Sequence, residues 1–437
     1  MGAANCQVVP LSASCEGPGR AWRIGPVTSP PLADAVLPLI RTRADLHRWS
    51  AANAHGRQMH DALDILEEAV GSEDPVGVYA VTHKALASAI KVIARADDSS
   101  GIIGDACRRL LDLHPKAAAA AQVPPRKLVD WMIAFQFDGD VDYFELDPVA
   151  YAPALGEEGL AMYRARLAEI ADALGPLPAG TERWDVPNRH ERWVLEWNGR
   201  RLAVLDRDVE AIIRTHARDQ KVAAWLQDAA EALAEIGAFD LAIDWARQAT
   251  RFNLGHQSLR ASDYWCALLA EHRPGELLAA RVEVFRRWPT SSTAAGLYRD
   301  AVEAWPEYRE EVMSRLSGSP RDAVVFALDP LKEVELAWEL AHSLTLEADD
   351  VWERLAEEYA KTHPLAVLPV LRRLVERELT QADAQRYRAA ARRLARMRRL
   401  AAGSDEVADV ERFVAELRET HRRRPRLQQE FDRAGLP

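Results

Sequence analysis

Ala229–Ala249, AAEALAEIGAFDLAIDWARQA, is the stretch whose reading decides the fold. It reads as two helices joined by a tight turn. Gly237 sits where the first helix must stop and turn sharply, a position that favours a residue able to adopt the left-handed conformation. Phe239 follows and is expected to wedge between the two helices. Ala242, Ala246 and Ala249 then form a row of small residues that lets helices approach closely. Farther along, Trp288-Pro289, Trp305-Pro306 and His363-Pro364 each read as a helix stop followed by a new start, because proline disfavours helix continuation. A stack of such units buries one continuous core between neighbours.

The residues Gly237 to Ala246 resemble the middle of a tetratricopeptide repeat. The resemblance implies an all-α fold, a helical-repeat (TPR-like α-solenoid) array, with an N-terminal helical domain before it. That domain is read from periodicity. Met59, Leu63, Leu66 and Val70 fall three or four apart on one helical face, and Val76 to Ala94 repeats the pattern. A helix through Ile102, Ala106, Leu110 and Leu113 is expected to stop at His114-Pro115. Further helices are expected over Pro125–Phe137 and Glu157–Leu174. Residues 1–35 are rich in Pro, Gly and Ser and read as a tail without a stable core. The expected organisation is that tail, a helical domain over 36–174, a linker over 175–189, and a TPR-like repeat domain with basic C-terminal helices over 190–437. Within 190–213, Asn198-Gly199 could turn a hairpin. The stripe Val194, Trp197, Leu202, Leu205, Val209, Ile212, Ile213 favours one long helix instead, since a single interior glycine costs only ~1 kcal/mol.

The chain has 437 residues, is 48% hydrophobic and carries a net charge of -11. That charge argues against a nonspecific nucleic-acid coat. Its four cysteines, Cys6, Cys15, Cys107 and Cys266, form no zinc-ligand spacing and read as free thiols of a reducing compartment. No stretch is read as approaching the ~18 apolar residues of a membrane span. The N-terminus lacks a basic region followed by an apolar run. The expectation is a cytoplasmic protein that engages no membrane and needs no cofactor.

A second resemblance covers most of the chain from about residue 40. Ile93 to Leu111, Leu128 to Pro153 with its Phe135-Gln136-Phe137-Asp138-Gly139-Asp140, and the tail Arg422 to Pro437 resemble an uncharacterised helical domain of bacterial proteins. Some of those proteins are described as SWIM-type zinc-finger proteins. The finger needs a Cys-x-Cys pair and a later Cys-x-His, and neither occurs here. Zinc binding is therefore carried over to no residue.

Three sets of residues are candidates for chemistry or binding. Asp138, Asp140 and Asp142, followed by Glu145 and Asp147, offer hard oxygen ligands for a divalent cation. The EF-hand pattern fails, because Tyr143 and Val149 stand where glycine and glutamate are required. Asp97 and Asp98 precede a helix and read as its caps. The sharpest signal is basic. Arg386, Arg388, Arg392, Arg393, Arg396, Arg398 and Arg399 lie in a run with no acidic residue from Ala384 to Ser404. On a helix Arg388, Arg392, Arg396 and Arg399 share a face, with Leu394, Met397 and Leu400 on another. Such a row suits phosphates or acidic proteins. It also suits internal pairing with the acidic remainder of the chain. A second basic cluster is Arg422-Arg423-Arg424-Pro425-Arg426. No nucleophile elbow, zincin helix or phosphate loop is present, so no catalytic residue is assigned.

These observations favour a non-enzymatic helical-repeat scaffold that binds a protein or peptide. A nucleic-acid-associated protein using the arginine-rich helix is the second reading, and a metal-dependent enzyme using Asp138 to Asp147 the third.

Overall fold

Proline, aspartate and glycine place the helix ends in the computed structural model, which describes residues 31–72, 74–138, 144–176 and 186–437. Among those residues every regular element is helical. The chain divides into two units, one ending at Asp206 and the other starting at Arg207.

The first unit contains α1 (Leu32–Ile40), α2 (Trp49–Ala69), α3 (Pro75–Ile93), α4 (Ile102–Ala120), α5 (Pro125–Phe137), α6 (Pro148–Leu174) and α7 (Arg189–Leu205). Residues 32–35, expected in the tail, thus form the first turn of α1. One core joins α1 to α4 through Val36, Leu63, Leu86 and Leu110. A second joins α5 and α6 through Leu128, Met132, Tyr151 and Tyr163. Asp98 caps α4, as its sequence position predicts. Its two carboxylate oxygens accept from the Ile103 and Gly104 amides at 2.9 and 2.8 Å. Helix α3 corrects one expectation, because it is long and apolar enough to cross a membrane by length and composition, with 44% of that window buried in the unit. Its Val81, Ala85, Leu86, Ala89 and Val92 belong to the core.

Three other expectations are corrected. Helix α4 does not stop at His114-Pro115 but runs through it to Ala120. Proline in a helix interior costs ~3 kcal/mol, and here Leu113, His114, Pro115, Ala117 and Ala118 are all buried, which offsets it. Asn198-Gly199 turns no hairpin and lies inside α7. Yet α7 is not one helix to residue 213. It ends at Leu205, Arg207 takes a φ of 55°, and the Asp208 carboxylate accepts from the Ala211 amide at 3.0 Å to start a new helix. An aspartate that can cap competes with helix continuation. Helix α7 packs against α5 and α6. The division between units therefore falls after it and not at 175–189, of which 177–185 lie outside the described residues.

The second unit begins with α8 (Val209–His216), α9 (Ala223–Glu235), α10 (Phe239–Arg251), α11 (His256–His272) and α12 (Pro274–Arg287). It continues with α13 (Ser291–Ala301), α14 (Trp305–Leu316), α15 (Pro320–Leu328), α16 (Val334–Ser343) and α17 (Asp349–Tyr359). Last come α18 (Leu368–Glu378), α19 (Ala384–Ala401), α20 (Val407–Thr420) and α21 (Pro425–Arg433). The breaks expected in this unit at Trp288-Pro289, Trp305-Pro306 and His363-Pro364 are real ones. At Gly237 the φ is +79°. The Gly237 amide donates to the Ala234 carbonyl and the Ala238 amide to Leu233, both at 2.9 Å, which closes α9 with a Schellman turn. Ala242, Ala246 and Ala249 are fully buried as expected. Phe239 is not a wedge. It stands at the start of α10, 37% exposed, and stacks on His272 of α11 at 3.7 Å.

From α8 to α20 the helices of this unit pack on their chain neighbours and, at α9–α11, α13–α15, α15–α17 and α19–α21, on the next but one. Arginine–carboxylate pairs follow the same spacing. Arg251 meets Glu283 at 2.6 Å, Arg286 meets Glu311 at 2.8 Å and Arg309 meets Glu333 at 2.6 Å, so α10, α12, α14 and the start of α16 are tied in succession. Arg321–Asp350 and Arg354–Asp329, both 2.7 Å, tie α15 to α17. Exposed pairs of this kind contribute little to stability, because solvent screens them. Their value lies in orientation more than in strength. The buried clusters also succeed one another along the chain, from Ala217–Ala261 to Phe285–Phe326 to Val324–Leu436.

Candidate functional site

The arginine run forms α19, as expected. The Asp383 carboxylate caps it, accepting from the Gln385 and Arg386 amides at 2.7 and 3.1 Å. Leu394 and Met397 are buried with Tyr387, Ala390 and Ala391, and Leu400 packs against the same core. That stripe fixes which arginines turn inward. Arg393 is the innermost, with its side chain 12% exposed, and its guanidinium reaches Glu353 at 2.9 Å and Glu378 at 3.1 Å. Burial pulls its pKa down, but hydrogen bonds to these two carboxylates outweigh burial and raise it.

The four arginines expected to share a face do not act alike. Arg396 donates to the Ala356 carbonyl at 3.1 Å and is half-buried. Arg388 lies 3.8 Å from Glu430, a carboxylate buried in α21. Arg392 and Arg399 are exposed, and neither has an ion-pair or hydrogen-bond partner among the described residues. Arg398 donates to the Gly435 carbonyl at 2.7 Å. The second cluster is divided in the same way. Arg422 pairs with Glu419 and Arg424 donates to the Leu379 carbonyl at 2.7 Å, while Arg423 and Arg426 are exposed. The acid-free run thus receives its carboxylates from other helices, Glu353 of α17, Glu378 of α18, Glu411 of α20 and Glu430 of α21.

Two clefts flank α20. One, of about 360 Å³, runs between α18 and α20. Leu365, Leu368, Met397, Val410 and Phe413 line its apolar part, and Leu365 is 40% exposed. Charged groups form its edge. Arg412 pairs with Asp409 at 2.8 Å, and Arg372 pairs with Glu376 at 3.2 Å and approaches Glu416 at 3.8 Å. The Glu406 carboxylate at that edge has no partner among the described residues. The other cleft, about 420 Å³, takes in Arg398, Arg399 and Glu411. Sequence periodicity identifies the arginines but not these clefts, whose walls come from three helices.

The acidic loop resolves differently. Asp140 and Asp142 lie outside the described residues, while Asp138 is the C-cap of α5. Asp147 caps α6 through the Val149 amide at 2.9 Å and is gripped by Arg201, whose Nε and Nη2 donate at 2.9 and 2.8 Å. Among the described residues no group of three His, Cys, Asp or Glu side chains is placed to hold a metal ion. Cys107 and Cys266 are free and buried, and burial pushes their thiols up to about 12 and about 11.

One polar cluster escaped the sequence reading. His83 Nδ1 and His114 Nε2 lie 2.9 Å apart, and His114 Nδ1 lies 2.9 Å from the Tyr151 hydroxyl. Trp131 stacks on His114 with ring centres 4.4 Å apart. Burial, then the charge of His83, lowers the His114 pKa to about 3. Burial also lowers that of His83 and raises that of Tyr151. Neutral imidazoles allow the chain of donors to run in either direction, as set by tautomer. The available signal was the i, i+4 pair Tyr79 and His83 on α3, but its partner His114 lies 31 residues away.

The chain matches a family of unknown function, DUF6880, over residues 37–427. It belongs to that family. The family supports the expectation of an uncharacterised helical domain, and its span takes in both units, the arginine helix and both clefts. No curated protein and no solved structure matches the chain.

Proposed function

We propose that the chain is a non-enzymatic, TPR-like helical-repeat scaffold that holds a protein segment in the groove between α18 and α20. The observation that carries this reading is the groove itself, an apolar floor at Leu365, Leu368, Met397, Val410 and Phe413 with a charged edge. That anatomy, apolar centre and polar rim, is the one protein interfaces use. The repeat reading is supported by packing of chain neighbours and by the Arg–carboxylate ties between alternate helices. Glu406 is a charge at the edge without a partner among the described residues, so the segment that fits carries an apolar anchor beside a lysine or arginine. Panning a random peptide library against the whole protein should enrich such sequences. Leu365→Glu, at an exposed floor position, should weaken the selected peptides by roughly tenfold or more. Absence of a consensus, or equal binding by Leu365→Glu, would overturn the reading.

A second reading is kept by Arg392 and Arg399, which stand exposed on one side of α19 with no partner among the described residues. In it they contact nucleic-acid phosphates, and affinity falls steeply with salt. Filter binding at low salt with the Arg392→Glu variant tests it, and equal retention by the variant and the parent chain removes it.

A further inference from the structure

The first unit carries a basic cleft apart from every residue placed in a site above. It opens between the chain following α1 and the last turns of α3 and has a volume of about 590 Å³. Four cations line it, Arg41, Arg43, Lys91 and Arg95, with the hydroxyl-bearing residues Thr42 and Ser88, and among the described residues no carboxylate does. Two of the cations are held in place. Arg41 Nε donates to Ser88 Oγ at 3.2 Å. Arg95 donates to the Ala44 carbonyl at 3.1 Å and to the Thr42 carbonyl. Arg43 and Lys91 are exposed and have no ion-pair or hydrogen-bond partner among the described residues.

Cations at helix C-termini are ordinary, because they complement the dipole. The cleft lies at two such ends, Ile40 of α1 and Ile93 of α3. One charge at each end would meet that need, and here four converge. Elsewhere in this unit Arg108, Arg109, Arg164, Arg166 and Arg201 each have a carboxylate partner. In a chain of net charge -11, four uncompensated cations around one cleft repel each other unless an anion sits among them.

We propose that this cleft binds an oligophosphate chain. Guanidinium forks pair with phosphate oxygens through two parallel hydrogen bonds, and an ammonium serves as a point charge. The volume falls within the ~300–1,000 Å³ of small-ligand sites and exceeds what one phosphate fills. Among the described residues no aromatic ring lines the cleft to stack on a base. Recognition falls on the phosphates, whether inorganic or carried by a nucleotide.

Calorimetric titration of the full chain with inorganic triphosphate, ATP and orthophosphate tests this. Triphosphate and ATP should bind, and orthophosphate much more weakly. Equal affinity for the first two identifies the bare chain as sufficient, whereas tighter ATP binding assigns the site to a nucleotide. Arg43→Glu and Lys91→Glu should each weaken binding by roughly tenfold or more. Arg423→Glu makes the same charge change at an exposed arginine of the second unit and should leave affinity unchanged. Unfolding midpoints of the three variants should match the parent, since none of these side chains has a partner among the described residues. No heat with triphosphate or ATP, or equal weakening by Arg423→Glu, would overturn the proposal.

Discussion

His114 shows what burial does to a single side chain. It is fully buried, bridges His83 and Tyr151, and lies under Trp131. Its folded pKa is lowered to about 3, while the unfolded chain takes up that proton near the ordinary histidine value of 6.5. The unfolded state therefore binds more protons between those values, and stability falls as pH drops through that window. At about pH 5 this residue should cost the first unit roughly 2 kcal/mol relative to neutral pH. Urea denaturation of the parent and of His114→Gln checks it, with the variant expected to show a flatter pH dependence. An unchanged slope would mean that other groups carry the acid sensitivity. Arg393 teaches the complementary lesson, since it keeps its charge inside the fold by reaching two carboxylates from other helices.

Among the elements, two glycines separate backbone conformation from packing. A Cβ added at Gly237 or at Gly199 would touch nothing within 4 Å, so space decides neither case. Gly237 has a φ of +79°, where an L side chain is strained. Gly237→Ala should destabilise the second unit by about 1 kcal/mol. Gly199 lies exposed inside α7 with helical backbone, so Gly199→Ala should stabilise the first unit by about 1 kcal/mol. Midpoints of chemical denaturation read both signs. Had Asn198-Gly199 formed a hairpin turn, the second substitution would destabilise instead.

For the whole molecule, each of the two units has buried clusters of its own, and the prediction is that they do not melt as one. Calorimetry should resolve more than one transition, because cooperativity extends only as far as a shared core. His114→Gln should move the transition of the first unit and leave the other in place. A single transition shifted as a whole by that substitution would show that the units unfold together.

Much of this protein is determined by its sequence alone. Three-to-four spacing, Pro125 and Gly237 place helix ends locally, because propensity, capping and φ restriction act within a few residues. The same locality misplaced the end of α4 at Pro115, where burial of the following alanines outweighs a proline, and missed the break at Asp206–Asp208, where a cap overrides an apolar stripe. The seven arginines of α19 were legible as a run, but their fates were not. Tertiary structure alone decided that Arg393 meets Glu353 and Glu378 while Arg392 and Arg399 face outward. It alone formed the clefts beside α20 and below Arg41, because pairing and shape depend on residues brought together across tens of positions.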